Sequence, residues 1–200
     1  MRHGIAALAI GALTAGANAG VVMYDFETGL AAQGWTAQAS SNGFTFEDMP
    51  GIGGNSNYVN NSLNAPIADS DAFGFGFGPF DTSLISPPQA FVGPVTLAYE
   101  LNFHAISPGA DRVEVYYGST LVMTHTTDTG GFFTNASGVA FSHAVTAAAG
   151  DSVRFRYVEE DPDAWEWYAQ IDNVSITAVP TPGSLAILGL GGLLMGRRRR

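Results

Sequence analysis

The sequence predicts an all-β protein built as a two-sheet antiparallel β-sandwich. Short runs rich in β-branched and aromatic residues recur through residues 20–178, separated by clusters of Gly, Pro, Asn and Asp. Several of these runs alternate apolar and polar residues with the two-residue period of a half-buried strand. No stretch of residues 20–178 sustains a helical period. Nine short strands with turn signals between them are expected to bury their apolar faces by packing two sheets together.

The runs read in order as follows. Residues 21–27 and residues 43–47 are the first two runs, each bounded by turn-forming residues. Residues 72–77 alternate Phe73, Phe75 and Phe77 with glycine, giving a strand with one aromatic face and one bare face. The bare face admits another backbone or a ligand. In residues 95–105 every odd position from Val95 to Phe103 is apolar, so Val95, Leu97, Tyr99, Leu101 and Phe103 share one buried face. Val113, Val115 and Tyr117 do the same in residues 112–117. Gly118 and Ser119 then read as a two-residue hairpin loop into residues 121–127, with glycine first as a type II′ turn prefers. Residues 138–145 follow, and residues 152–158 place Val153, Phe155 and Tyr157 on one face. In the last run, residues 167–177, the alternation from Trp167 through Ala169 and Ile171 to Val174 is only approximate. Residues 51–57, rich in glycine and asparagine, read as a surface connection and are too irregular for a phosphate loop.

Both ends of the chain differ from this pattern. Arg2 and His3, the apolar run of residues 5–15 and Ala17-Asn18-Ala19 have the layout of a secretory signal peptide, residues 1–19. Residues 179–200 hold a proline-bounded turn, an uncharged apolar segment and four terminal arginines. As a helix, residues 183–196 would reach about 21 Å, short of a ~30 Å hydrocarbon core, so the arginines would have to snorkel to the headgroups. Between the ends, residues 20–178 have the size of one domain. They carry all eighteen acidic residues against Arg112, Arg154 and Arg156 alone, a formal charge of −15. So acidic a surface excludes nucleic acid as a natural partner and either attracts divalent cations or keeps the domain soluble in a salty exterior. There is no cysteine, so no disulfide staples the fold.

The tail resembles a PEP-CTERM sorting signal. Val179, Pro180, Thr181 and Pro182 stand for its Pro-x-Pro motif, with Thr181 where a glutamate is usual, and Arg197, Arg198, Arg199 and Arg200 for its basic end. The resemblance implies export, transient membrane retention through the C-terminal helix, processing by an exosortase-type enzyme, and an exopolysaccharide setting at the cell surface or in the extracellular matrix. The domain is similar to MAM and cleaved-adhesin jelly rolls of the kind associated with surface anchors. Tyr24-Asp25-Phe26-Glu27 with Gly34-Trp35, and residues 167–176, correspond to the first and last strands. Leu84-Ile85-Ser86-Pro87-Pro88, residues 97–103 and residues 111–115 correspond to strands between them. MAM domains usually carry disulfides, which makes the adhesin-type members the closer pattern. This resemblance implies a non-catalytic role in adhesion or in carbohydrate or protein binding. It also implies a structural calcium near the terminal strands, held by Glu27 and Asp172 with Asp71 or Asp69 as a third carboxylate. Calcium takes six to eight oxygens, so backbone carbonyls would have to join them.

Residues 159–167 are the densest acidic run, with Glu159, Glu160, Asp161, Asp163 and Glu166. The run lacks the glycine of an EF-hand loop. Trp165, Glu166, Trp167 and Tyr168 have the composition of a sugar platform, aromatic faces for pyranose CH groups beside acceptors for hydroxyls. The same residues also read as a core tryptophan next to a solvated loop. Catalytic motifs are missing: there is no G-x-S-x-G elbow, no H-E-x-x-H pair and no cysteine nucleophile. His104, His125 and His143 fall one to a strand, without ligand spacing. The expectation is therefore a non-enzyme. The alternatives are a polysaccharide-active enzyme using two of Glu100, Glu114 and Glu166 as paired carboxylates, or a purely structural matrix protein.

Overall fold

The computed structural model describes residues 20–49, 62–70, 79–105, 110–130, 138–161 and 168–180. Among the described residues the strands are β1 (Val21–Tyr24), β2 (Thr36–Gln38), β3 (Glu47–Met49), β4 (Ala65–Asp69), β5 (Phe80–Ile85), β6 (Gly93–His104), β7 (Arg112–Tyr117), β8 (Thr120–His125), β9 (Val139–Ala147), β10 (Val153–Glu159) and β11 (Tyr168–Ala178). They belong to one compact unit, Ala19–Val179. The other unit, Met1–Asn18 with Pro180–Arg200, lies outside the described residues except for Pro180. The signal-peptide reading and the apolar tail with its arginines therefore lie there too, as do residues 72–77, Asp71, Trp165, Glu166 and Trp167. Among the described residues no helix is long and apolar enough to cross a membrane.

The strands form two antiparallel sheets. One runs β3-β4-β11-β6-β9, with β1 also paired to β11, and the other runs β2-β5-β10-β7-β8. The core lies between them. Val95, Leu97, Tyr99, Leu101 and Phe103 of β6 are all buried, as the alternation predicts, and they meet Val113, Val115 and Tyr117 of β7 and Val153, Phe155 and Tyr157 of β10 in one cluster. Tyr99 packs edge-on to Phe155 at 5.1 Å and Phe103 to Tyr157 at 5.7 Å, which ties the middle strands of the two sheets together. Trp35 closes one region of this core against Tyr24, Phe26 and Phe155.

The hairpin between β7 and β8 uses Gly118-Ser119 with Gly118 at φ +56, as a II′ turn requires at its first central position. A Cβ there would lie 2.5 Å from the Asp151 carboxylate, so a side chain would have to displace that group as well as take a φ that favours glycine.

Several elements differ from the sequence expectation. Residues 43–46 are not a strand. Ser40 and Phe44 close a turn through Ser40 N to Phe44 O at 2.7 Å, with Gly43 at φ +91, and the turn inserts Phe44 and Phe46 into the core. The alternation of Phe44 and Phe46 records burial without pairing. Strands β2 and β4 carry no strand signal of their own. β2 is three exposed residues, and β4 holds Pro66 and two alanines yet is buried along its whole length. The polar start of β5, Asp81-Thr82-Ser83, masks a strand whose Thr82 and Leu84 face the core.

The approximate alternation of the last strand has a definite cause. Asp172 pairs with Glu100 and Ser175 with Ala98, so β11 carries an extra residue at this point. Asn173 takes the left-handed conformation, φ +49, that such a bulge needs and that asparagine tolerates better than most residues. The bulge resets which positions face the core, from Ala169 and Ile171 before it to Val174 and Ile176 after it.

Candidate functional site

The outward face of the five-stranded sheet is a grid of mainly polar side chains. Cross-strand partners share a face, so Gln38, Ser83, Arg156, Glu114 and Thr124 form one row across all five strands, and Thr36, Ile85, Arg154, Tyr116 and Leu121 form the next. Arg112 and Asp81 stand at the ends of a third row, either side of Val158. All three arginines of residues 20–178 are therefore on this one face. The sequence held the signal for it: Arg154 and Arg156, and Arg112, Glu114 and Tyr116, occupy the positions that alternate with the core residues of β10 and β7. The sequence reading followed the core half of that alternation and missed the other half.

Glu114 organises the grid. Arg112 Nε donates to its Oε1 at 2.9 Å, Arg156 Nη1 to its Oε2 at 2.8 Å, and the Tyr116 hydroxyl to Oε2 at 2.7 Å. Burial works against the charge, but the bonds from Arg112, Tyr116 and Arg156 outweigh it and hold the Glu114 carboxyl at about 2. Arg156 also grips Asp81 with both prongs of its guanidinium, at 2.8 and 2.6 Å, and Arg112 reaches Glu160 at 2.7 Å. A connected, bidentate network of this kind fixes side-chain positions in a way that isolated surface pairs do not. Arg154 is placed differently. Its guanidinium carbon lies 4.1 Å from the centroid of the Tyr116 ring, a cation–π contact. The Tyr116 ring is itself pinned through its hydroxyl, so the face presents a fixed aromatic with a cation stacked on it.

The terminal strands bring together part of the predicted calcium set. Asp172 is fully buried and accepts hydrogen bonds from the Ser62 hydroxyl and from Asn173 N, the latter at 2.7 Å. Burial above all, with the charges of Glu100 and Glu27 behind it, pushes its carboxyl up to about 7, although the bonds from Ser62 and Asn173 pull the other way. Glu27 accepts from Leu63 N with both oxygens at 3.1 Å, and Asn173 Nδ2 bridges to Glu100 at 2.9 Å. Phe26, just before Glu27, takes φ +55, a strained conformation for a bulky residue, and its carbonyl accepts from Asn64 Nδ2 at 3.2 Å. The oxygen-rich, anionic donor set suits a hard cation, and none of the causes acting on Asp172 is a cationic side chain. Among the described residues no three acidic or imidazole side chains group as metal ligands by themselves. Backbone oxygens would have to complete the shell. Asp69 is buried on β4, opposite Tyr168, away from Asp172 in the register.

The remaining sequence candidates separate. Tyr168 is buried and packs on His104 at 5.1 Å, on the face of β11 opposite the core residues Ala169 and Ile171. Glu100 and Glu114 sit on different sheets, and Glu114, ionised and saturated with donors, has no proton to give as a general acid. They do not form a carboxylate pair across one cleft. His125 and His143, read as independent strand residues, both reach the Tyr99 hydroxyl, at 2.8 and 3.2 Å. β8 and β9 carry these two histidines at the edges of the two sheets, a proximity that no local spacing encodes. A cleft of about 770 Å³ opens between the same two edge strands, lined by Pro94, Tyr117, Leu121, Val122, His143 and Val145 among others.

No family model matches the chain, and no curated protein matches it. Solved structures do. The chain is similar to the K1 cleaved adhesin domain of Lys-gingipain from Porphyromonas gingivalis W83, with a TM-score of 0.58 and 19% identity over 80% of this chain and 99% of that one. It is similar also to the K3 cleaved adhesin domain of the same protein, with a TM-score of 0.52 and 22% identity over 78% of this chain and 98% of that one. At these identities the likeness is one of fold: a two-sheet antiparallel sandwich shared along nearly the whole of each adhesin domain.

Proposed function

We propose that this chain is an exported, non-catalytic binding module that takes carbohydrate through the outer face of its five-stranded sheet. The observation that carries the reading is the grid itself: a pinned aromatic, a stacked guanidinium and rows of hydrogen-bonding side chains, held in place by Glu114 on rigid strands. Sugars offer apolar CH faces and dense hydroxyls, and such a surface answers both. The likeness to adhesin domains supports a surface role, with adhesion to a polysaccharide matrix as its use. Fold alone does not assign function, so the assignment rests on the face. Tyr116→Ala removes the aromatic and the support of Arg154 while leaving the core intact. Binding to polysaccharide, measured by affinity electrophoresis and calorimetry, is expected to weaken at least tenfold, about 1.4 kcal/mol, without a change in far-UV circular dichroism. Unchanged affinity would move the site off this face.

The sorting reading belongs to the same proposal. Cleavage in the signal peptide, passage to the cell surface and removal of the tail by an exosortase-type enzyme are expected to leave a C-terminus near residues 180–184. Mass spectrometry of the protein recovered from the native surface reads this directly. A recovered peptide ending in Arg200 would leave the tail as a plain membrane anchor.

Structural calcium near the terminal strands is the third part. Glu27 and Asp172 would hold it with backbone oxygens and Asp71, and the ion would supply the positive charge that Asp172 otherwise lacks. Calcium at about a hundred times its dissociation constant is expected to stabilise the chelator-treated protein by about 2.7 kcal/mol, a rise in Tm of roughly 5–10 °C. Asp172→Asn is expected to abolish the rise. A wild-type Tm indifferent to millimolar calcium would remove the ion from the account.

A further inference from the structure

We infer that the ligand of this face is an anionic sugar, and that Arg154 binds its charged group. The inference rests on the carbohydrate-binding reading above and narrows it. Residues 20–178 hold six acidic side chains for every arginine, so an arginine there has carboxylates in excess. Arg112 and Arg156 each take two, Glu114 with Glu160 and Asp81 with Glu114. Arg154 takes none among the described residues and rests on the Tyr116 ring alone. It opens on a concavity of about 330 Å³ lined also by Gln38, Ser83, Asp81 and Arg156.

The chemistry of that concavity is selective. Guanidinium presents a planar fork that matches a carboxylate or a sulfate with two parallel hydrogen bonds. Stacking on a ring whose hydroxyl is already tied to Glu114 restrains the fork before the ligand arrives, which lowers the entropy lost on binding. Gln38, on the exposed edge strand β2, and Ser83 beside it add an amide and a hydroxyl for sugar hydroxyl groups. Charge decides where an anion can approach. Among the described residues of this face Arg112, Arg154 and Arg156 match the charges of Asp81, Glu114 and Glu160, and residues 20–178 hold no other arginine and no lysine. The balanced face is where a polyanion is least repelled, and at physiological salt the remaining charge is screened beyond ~8 Å.

The full-length protein, Arg154→Gln and Arg154→Lys are compared at physiological salt on polygalacturonate and its carboxyl-reduced neutral form, and on dextran sulfate and dextran. The wild type is expected to bind one anionic polymer at least tenfold tighter than its neutral counterpart, and which pair shows the preference identifies carboxylate or sulfate as the group taken. Arg154→Gln is expected to erase that preference and keep any affinity for the neutral polymer. Arg154→Lys, which keeps the charge and loses the fork, is expected to fall between. Equal binding of neutral and anionic polymers by the wild type, or a preference that survives in Arg154→Gln, would overturn the inference and leave carbohydrate binding standing. Binding of polyglutamate as tight as that of polygalacturonate would overturn the sugar assignment. Failure to bind any of the four polysaccharides would overturn both readings.

Discussion

Trp35→Ala is expected to destabilise the domain by about 3–5 kcal/mol, the range for removing a large aromatic from a packed core. Trp35 is only 2% exposed and lies 5.2 Å from Tyr24, 5.2 Å from Phe26 and 6.2 Å from Phe155. It thereby joins the loop after β1 to the central strand of the five-stranded sheet. Its backbone N–H donates to Leu30 O at 2.9 Å, so the rigid Gly34-Trp35 corner cannot swing in to refill the space. For a domain of this size the loss corresponds to a fall in Tm of roughly 6–20 °C. Trp35→Phe is expected to cost much less, because the buried indole N–H finds no hydrogen-bond partner among the described residues and phenylalanine keeps most of the aromatic packing. Urea unfolding of both variants checks the pair. An alanine variant within 1 kcal/mol of wild type would show that the aromatic cluster does not hold the two sheets together. Since Phe155 lies between Arg154 and Arg156 on β10, the alanine variant is also expected to weaken carbohydrate binding from the inside of the sheet.

The second large effect is a pair of opposite pH dependences. Burial, helped by His143, lowers the His125 imidazole to about 4 from an ordinary value of 6.5. Between those values the unfolded chain binds the proton and the folded one does not, so acidification from pH 6.5 to 4 removes about 3 kcal/mol of stability. Asp172 acts the other way. Its carboxyl is raised from 3.8 to about 7, so the folded chain binds the proton first and acidification over pH 7 to 4 adds about 4 kcal/mol. In chelator the wild type is therefore expected to be nearly flat between pH 7 and 4. Asp172→Asn should unmask the histidine and lose about 3 kcal/mol on acidification. His125→Gln, which keeps a partner for the Tyr99 hydroxyl, should unmask the carboxylate and become more stable by about 4 kcal/mol. Urea midpoints across the range measure both, and parallel slopes in the two variants would contradict this account. Glu114, lowered from 4.5 to about 2, gives up its contribution between those values, so its loss begins only at the acid end of this window.

What was legible in the sequence was whatever the chain writes locally. The buried faces of β6, β7 and β10, the glycine-led hairpin and the general sandwich follow from period and turn chemistry, and all three appear in the structure. β4 was illegible because burial on both faces removes alternation and its small residues carry no strand preference. Phe44 and Phe46 misled for the converse reason, being alternately buried in a turn. Glu27 and Asp172 were named through resemblance to terminal strands, and the structure brings their charges close enough to interact. Glu100 beside them depends on the pairing of β11 with β6 and was read only as a candidate acid. The face bearing Arg154 and Tyr116 was written in the same alternation as the core, on its polar side, and is the part a search for apolar periodicity passes over. The contact of His125 and His143 with one tyrosine needs both sheets in place and has no counterpart in any short stretch of chain.

The position of β11 has a consequence for how the protein is made. This last strand pairs with β1, β4 and β6, so three strands of the larger sheet meet only through residues 168–178. A chain emerging from the ribosome can close the β7–β8 hairpin early, because its partners are adjacent. It cannot assemble the larger sheet until nearly all of the domain has been synthesised. Pairings of such long sequence separation are slow to form. The larger sheet thus stays open over most of the domain's synthesis, and the order of translation times its collapse.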